Sequence, residues 1–449
     1  MLRSARALWL FWTILASYGM YSVLSRLFGR ARLAHYLERL HRKNARRLLR
    51  GFVRLGGVYI KVGQVLSVVG SFLPPAFGEL LEGLQDKVPP RPFREVEGRL
   101  REALGPDVLA KFGRFDREPL AAASLAQVHQ AVTTDGRPVA VKVLYPGIER
   151  LIRSDLPVLR SLVPVLNRLF LETHLERVLD QLGAMLARET DFANEQRNMQ
   201  RIRAIFAARP EIVVPDVVAE LTGGGVLTMT LESGHKITDL EALRADGIDP
   251  GSVARLLVDA YVSMLFEHRV FHADPHPGNF VVRPGPTLVV LDYGAVEEVT
   301  DALAEGLKLV VLGAITKQDD TVLAGVERMG FVAPSGDRAL LVQVGHEYLG
   351  ALSEVRITDF SRLDLGTLEK LSGYRQLKGR LRQVMHSVVY PDGYFYVERT
   401  LVLLFGLVGQ LDPEHGLPGL ALPYATRALA QHPWLGAAVP NGTDSRSSG

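Results

Sequence analysis

The stretch Phe271-His272-Ala273-Asp274-Pro275-His276-Pro277-Gly278-Asn279, followed after a short hairpin by Leu291-Asp292-Tyr293-Gly294, constrains this chain more than any other feature. Asp274 lies five residues before Asn279, and Asp292 thirteen residues after it. Phosphoryl transfer from a nucleotide uses this arrangement. One Asp sits beside the acceptor hydroxyl, an Asn holds one magnesium ion, and a strand-end Asp-x-Gly holds another. Nucleotide phosphate chemistry is therefore the leading reading.

His272 and His276 flank Asp274 at a spacing of four, which raises a metal-binding alternative. A zinc pair of that spacing needs an unbroken helix to bring both rings to one face, and Pro275 and Pro277 break helix here. His272 is better read as a brace behind the catalytic loop. Asp274 then orients the nucleophile, and Asn279 with Asp292 supplies oxygen ligands of the kind that hard cations prefer.

Upstream, Ala121-Ala122-Ala123-Ser124 opens a small-residue loop where a kinase has its Gly-rich phosphate loop. A strand, a turn with Asp135-Gly136 and a second strand follow, the latter carrying Lys142 in Val139-Ala140-Val141-Lys142-Val143. Kinases place the lysine that holds the α- and β-phosphates in this pattern. Each alanine in place of glycine adds a Cβ and restricts positive φ, so the loop is stiffer and follows phosphates less closely. The Ser124 hydroxyl is placed to cap the turn or approach a phosphate. Lys142 needs a helix carboxylate to orient it, and both Glu189 and Glu195 lie on the helical block that follows. Lys61-Val62-Gly63-Gln64 has no evident chemistry when read alone.

With 449 residues, two or three domains are expected. The chain has no cysteine, which excludes disulfides, thiolate nucleophiles and Cys-ligated zinc. Between Arg26 and Arg54 ten Lys or Arg residues face a single acid, Glu38. Ala7 to Ser25, just before, is uncharged and contains Trp9, Phe11, Trp12, Tyr18 and Tyr21. As a helix it would extend about 28 Å, close to a bilayer's hydrocarbon thickness. A spanning helix, a helix lying in the interface above anionic lipid, and a helix packed on the main body are all compatible with it. If the helix spans, its basic flank makes the main body cytoplasmic.

The periodicity predicts helices from Arg32 to about Leu109, from Ile148 to Phe206, from Asp239 to His268 and from Thr300 to about His432. Val213-Val214-Pro215 and Val226 to Leu231 read as a strand pair around Gly223-Gly224-Gly225, and Phe280–Val282 and Leu288–Leu291 as two more strands. The expected organisation is a membrane-associating helix (1–30), a helical extension (31–112), a smaller lobe with inserted helices (113–232), a helical lobe with the catalytic motifs (233–435) and a disordered tail (436–449).

Taken together, these pieces resemble the atypical kinase family of UbiB, AarF and the mitochondrial coenzyme Q kinases, from about Ser17 to Gln410. Ser17-Tyr18-Gly19 is similar to the family's opening helix, Lys61-x-Gly63-Gln64 to its signature, and Leu84-Gln85-Asp86-Lys87-Val88-Pro89 follows as in the family. The alanine-rich loop runs into Gln127-Val128-His129. Glu189-x-Asp191 matches the family's E-x-D motif, which leaves Glu195 as the partner of Lys142. The resemblance implies an α+β, bilobal protein-kinase-like fold whose N-terminal helical extension covers the active site. It implies catalytic Asp274, Lys142 and Glu195; magnesium ligands Asn279 and Asp292; and nucleotide contacts at Ala121 to Ser124, Lys142, Met229 and Leu231. Lys61, Gly63, Gln64, Glu189 and Asp191 take regulatory roles, with Lys61 near Glu189 and Lys61 and Gln64 where a peptide substrate would lie. The alanine loop would favour ADP over ATP. Tyr293 replaces the family's usual Phe and adds a hydroxyl near the metal site. The segment Leu411-Asp412-Pro413-Glu414-His415-Gly416 is too interrupted for C-terminal membrane spans.

The implied function is a magnesium-dependent ATP-binding kinase or ATPase, membrane-associated on anionic lipid with its body in the cytoplasm. It would support ubiquinone biosynthesis or lipid homeostasis, with quinone-biosynthesis proteins or a lipid as partners and no nucleic acid. A small-molecule kinase of the choline or aminoglycoside type shares the catalytic motifs but predicts an open acidic acceptor pocket. A non-catalytic nucleotide-binding scaffold is the third reading.

Overall fold

The computed structural model describes residues 2–29, 31–69, 74–81, 84, 90–169, 175–331, 391, 393–415, 420 and 423. The expected tail (436–449), the motif residues Gln85 to Pro89 and most of the helical pattern predicted beyond residue 331 lie outside the described residues. The chain divides into two compact units. One comprises Met1–Arg197 and Pro215–Glu232, the other Asn198–Val214 and the described residues from Ser233 onward.

The first unit opens with α1 (Leu2–Phe28), α2 (Ala34–Leu55), α3 (Val58–Val69), α4 (Pro75–Leu81) and α5 (Phe93–Leu104). Helix α1 is, by length and composition, apolar enough to cross a membrane. It packs on α2, which buries Leu40, Asn44, Leu48, Phe52 and Leu55 at helical spacing and leaves its arginines outside. A four-stranded antiparallel sheet of order β1-β2-β3-β5 follows, from β1 (Phe112–Ala122), β2 (Ala126–Thr133), β3 (Pro138–Leu144) and β5 (Val226–Thr230). Strand β1 precedes the two strands expected here and tolerates Pro119 because it is the sheet's edge. The β2–β3 turn requires Gly136 at φ 86°, a conformation open to glycine.

Successive strand side chains alternate between faces. Val139, Val141 and Val143 therefore enter one core with Val96 and Leu100 of α5, Phe112 and Val226. Each such fully buried valine contributes about 1.5–3 kcal/mol. The same alternation turns Lys142 to the opposite face, where it meets Glu195 of α8 (Phe192–Ile205), the helix that follows α6 (Ile148–Leu169) and α7 (Leu175–Glu189) in the chain.

The second unit holds β4 (Ile212–Val213), β6 (His235–Lys236), β8 (Phe280–Arg283) and β9 (Thr287–Val290) in a sheet of order β4-β9-β8-β6. A separate ribbon pairs β7 (Val270–His272) with β10 (Val296–Glu298). The helices are α9 (Leu240–Ala245), α10 (Pro250–Val262), α11 (Asp301–Thr316), α12 (Asp319–Met329) and α13 (Tyr394–Leu411). Asp249 caps α10 by accepting from the N–H groups of Gly251 and Ser252, with Pro250 at the first helical position.

The predicted pairing of Val213-Val214 with Val226 to Leu231 is replaced by two separate partnerships. Ile212 and Val213 pair in parallel with Leu288 and Val289, whereas Val226 to Thr230 zip antiparallel onto Val139 to Val143. The glycine run turns the chain into β5, with Leu144 N–H donating to Gly225 O. Alternation marks a strand but not its neighbour. The pairing with β9 ties Ile212 and Val213 to the second unit.

Candidate active site

In the first unit, Lys142 Nζ donates to both carboxylate oxygens of Glu195, at 2.7 and 2.9 Å. The Glu195 side chain is 3% exposed and that of Lys142 19%, so the pair is largely withdrawn from water. The Phe192 ring lies 5.2 Å from the ammonium and adds a cation–π contact. The two candidate carboxylates fall on different helices. Glu195 lies on α8, while Glu189 ends α7 and is ion-paired with Lys61. Asp191 stands at the α8 N-cap, where its Oδ1 accepts from Asn194 N–H at 2.9 Å.

The small-residue loop is a tight link between β1 and β2. Ala121 and Ala122 close β1, Ala123 N–H donates to Ala126 O, and Ser124 is buried. Met229 is buried opposite Ala140 on β5. Leu231 N–H donates to Pro138 O at 3.1 Å, so its N–H is already engaged within the sheet.

The K-x-G-Q residues have physical employment inside this unit. Gly63 sits where α3 meets Phe52 of α2 and Leu84. An added Cβ would overlap the Leu84 side chain and lie 2.9 Å from the Phe52 ring. Gln64 Nε2 donates to Leu84 O at 3.0 Å. Gln127, 1% exposed, accepts from Arg91 N–H through Oε1 and directs Nε2 toward His129 Nε2 and Arg91 O. It thereby fastens the helical extension to β2, a role the sequence does not announce. Burial pushes the His129 imidazole below its usual pKa, partly offset by its hydrogen bond to Asp116 O.

In the second unit, β7 delivers the chain to Asp274. His272 is 2% exposed and held at both nitrogens, by Asp292 O at 2.6 Å from Nε2 and by the Tyr261 hydroxyl at 3.2 Å from Nδ1. A carbonyl only accepts, so Nε2 carries the proton and the Tyr261 phenol donates to Nδ1. Burial pushes the Tyr261 phenol well above its usual pKa, which keeps it a donor. His272 thus links the loop that carries Asp274 to the backbone of Asp292. His276 is engaged locally, its Nδ1 accepting from Gly278 N–H at 3.1 Å.

Asn279 Nδ2 donates to Asp274 O at 3.0 Å, which fixes the amide and directs its Oδ1 away from that bond. Asp292 Oδ1 accepts from Gly294 N–H at 2.9 Å. A fixed amide oxygen plus a carboxylate fit magnesium, which takes one or two protein oxygens beside water and phosphate. The Tyr293 hydroxyl corrects the expectation of a group near the metal site. The side chain is fully buried, and its O–H donates to Val290 O at 3.0 Å, bracing the end of β9. Asn198 on α8 donates to Tyr293 O at 2.9 Å.

One partner escaped the sequence altogether. Arg399 on α13 donates through Nη2 to Asp274 Oδ1 at 2.8 Å. The two are 125 residues apart, and no local spacing links them.

Residues 83–325 match the ABC1 atypical kinase-like domain, more than half of the chain. The chain belongs to this family. Its relatives include the chloroplastic Protein ACTIVITY OF BC1 COMPLEX KINASE 8 of Arabidopsis thaliana, 30% identical over 86% of this chain and 54% of that protein. AarF domain-containing protein kinase 1 of Xenopus tropicalis is 35% identical over 59% of this chain and 52% of that protein. The chain spans about half the length of both curated relatives. Among solved structures, the Rv3197–erythromycin complex from Mycobacterium tuberculosis is similar with a TM-score of 0.53 and 25% identity. That similarity covers 86% of this chain and 99% of that one. The fold of this ABC1-family chain is protein-kinase-like, mixed helix and sheet, with an N-terminal helical region, as its motifs imply.

Proposed function

We propose that this chain is an ATP-binding atypical kinase or ATPase that uses magnesium and works at a membrane surface, supporting isoprenoid-quinone metabolism or lipid homeostasis. The observation that carries the reading is Lys142 bonded to both oxygens of buried Glu195, within a family of kinase-like proteins. A lysine held in this way is oriented for the α- and β-phosphates. Asp274 orients the attacking hydroxyl or water, with Oδ1 held by Arg399. Asn279 and Asp292 would hold magnesium, which would supply positive charge to offset the charge developing on the phosphate. Phosphoryl transfer asks mainly for positioning and charge neutralisation, which is what these residues supply. The stiff alanine loop favours ADP over ATP, and the apolar α1 provides the membrane contact. The quinone link is carried over from the UbiB and AarF resemblance.

The test is nucleotide turnover by the full chain, with and without anionic vesicles and a phenolic quinone-precursor mimic. Magnesium-dependent turnover lost in Asp274→Ala and Asp292→Asn supports the reading. Wild-type turnover in Asp292→Asn would remove the metal-ligand assignment, and nucleotide binding without turnover would favour the scaffold. A small-molecule phosphotransferase is favoured as second reading by the erythromycin complex of the mycobacterial neighbour. Phosphate transfer to a macrolide or aminoglycoside panel would decide for it.

A further inference from the structure

Helix α1 exposes a continuous apolar ridge. Ala5, Trp9, Trp12, Ala16, Met20, Val23 and Leu27 recur every three or four residues and are all exposed. Trp9 and Leu27 are each 71% exposed and Trp12 63%. Large aromatic and aliphatic side chains in such a stripe are not a surface that water favours.

The opposite side of α1 is fastened to α2 along its length, in antiparallel order. Arg3 donates to Leu55 O and Gly56 O and pairs with the fully buried Asp155. Phe11 packs edge-on to Phe52, and Thr13 O accepts from Arg47. Ser17 Oγ accepts from Asn44, Tyr18 hydrogen-bonds His41, and Tyr21 stacks on Tyr36. Helix α2 meanwhile exposes Arg39, Arg42, Lys43, Arg46, Arg50 and Arg54. A helix with six exposed cations cannot follow α1 into hydrocarbon. Peeling α1 away would strand the buried groups of Asp155 and Asn44.

We infer that α1 lies in the plane of an anionic bilayer, its Trp9–Leu27 ridge inserted into one leaflet and the cations of α2 meeting lipid phosphates, without crossing the membrane. The inference deepens the membrane part of the proposed function and rests on it. The occupant is a lipid surface because the ridge is exposed and aromatic, and the charge on the adjoining α2 is overwhelmingly positive, with Glu38 its one acid.

The chain lacks cysteine, so single Cys residues report without background. The full chain carrying Arg6→Cys or Phe28→Cys is expressed in a bacterial host. Intact spheroplasts and inverted membrane vesicles are then treated with a membrane-impermeant maleimide. In-plane binding labels both positions in inverted vesicles and neither in spheroplasts. Labelling of one end in each preparation means a spanning helix and overturns the inference while leaving the membrane reading intact. A chain found wholly outside the membrane fraction overturns both, and a ridge buried between two copies would then appear as a dimer by light scattering. Purified protein should bind phosphatidylglycerol-containing vesicles more tightly than phosphatidylcholine vesicles. Trp12→Glu should weaken that binding roughly tenfold to a hundredfold, with nucleotide binding unchanged. Binding unaltered by Trp12→Glu overturns the assignment of the ridge.

Discussion

Replacing Glu195 with Gln keeps the side chain's shape and removes its charge, leaving the Lys142 ammonium against a neutral amide. Both partners are mostly withdrawn from water, with 3% of Glu195 and 19% of Lys142 exposed. Breaking a buried pair from one side costs about 3–5 kcal/mol, because the surviving charge loses a close compensating partner. Lys142 keeps about a fifth of its surface in solvent, so the lower end, about 3 kcal/mol, is expected. That corresponds to roughly a hundredfold in the folded-to-unfolded ratio. Removing both charges together, in Lys142→Met with Glu195→Leu, should return stability to within about 1 kcal/mol of the parent, since a buried pair exchanged for apolar groups is often close to neutral. Urea denaturation followed by far-ultraviolet circular dichroism, carried through the double-mutant cycle, measures the coupling directly. Glu195→Gln should also weaken nucleotide binding, as the ammonium loses its orientation. Single and double substitutions that add independently, each below about 0.5 kcal/mol, would show the pair to be screened by water, and the argument from burial would fail.

Arg399→Ala should lower turnover about tenfold to a hundredfold through misplacement of Asp274, with nucleotide affinity unchanged. Turnover within twofold of the parent would refute the positioning role. Gly63→Ala should cost about 1–3 kcal/mol by overpacking, because its Cβ meets Leu84 and lies 2.9 Å from the Phe52 ring; unaltered urea stability would mean that α2 and α3 yield there easily. The third concerns pH. Buried His129 has its pKa lowered by desolvation. Between that value and the unfolded value of about 6.5, the unfolded chain binds more protons, so stability rises with pH and is lost as pH falls through the window. His129→Gln should therefore flatten the fall in melting temperature between about pH 7 and pH 5, and parallel curves for the two proteins would exclude His129 as a source of acid lability.

What the sequence discloses here is whatever the chain encodes within a few residues. The Asp274, Asn279 and Asp292 spacing, the Lys142 strand and the Asp135-Gly136 turn are local patterns. Each is written in residue types that periodicity and turn chemistry can read, and the family and the protein-kinase-like fold follow from them. Partner choice over long distances leaves no such mark. Arg399 reaches Asp274 from 125 residues away, and Gln127 grips the backbone of Arg91 across the intervening α5 and β1. Ile212 and Val213 choose β9 over the nearer β5. The place of Tyr261 behind His272 depends on how α10 lies against β7, which alternation and helical period leave open. Gly63 is the intermediate case. The motif was visible, but the reason for its glycine appears only where Phe52 and Leu84 close over it.

The clasp between Arg3 and Asp155 bears on how this protein should be shortened for study. Trimming a handful of leading residues is a common way to free a greasy opening helix from detergent. Here the third side chain neutralises a carboxylate that has no contact with solvent. Trimmed protein would therefore carry an orphaned anion on α6, a defect of about 3–5 kcal/mol. Lost activity in such a protein would report a weakened first unit before it reported anything about lipid.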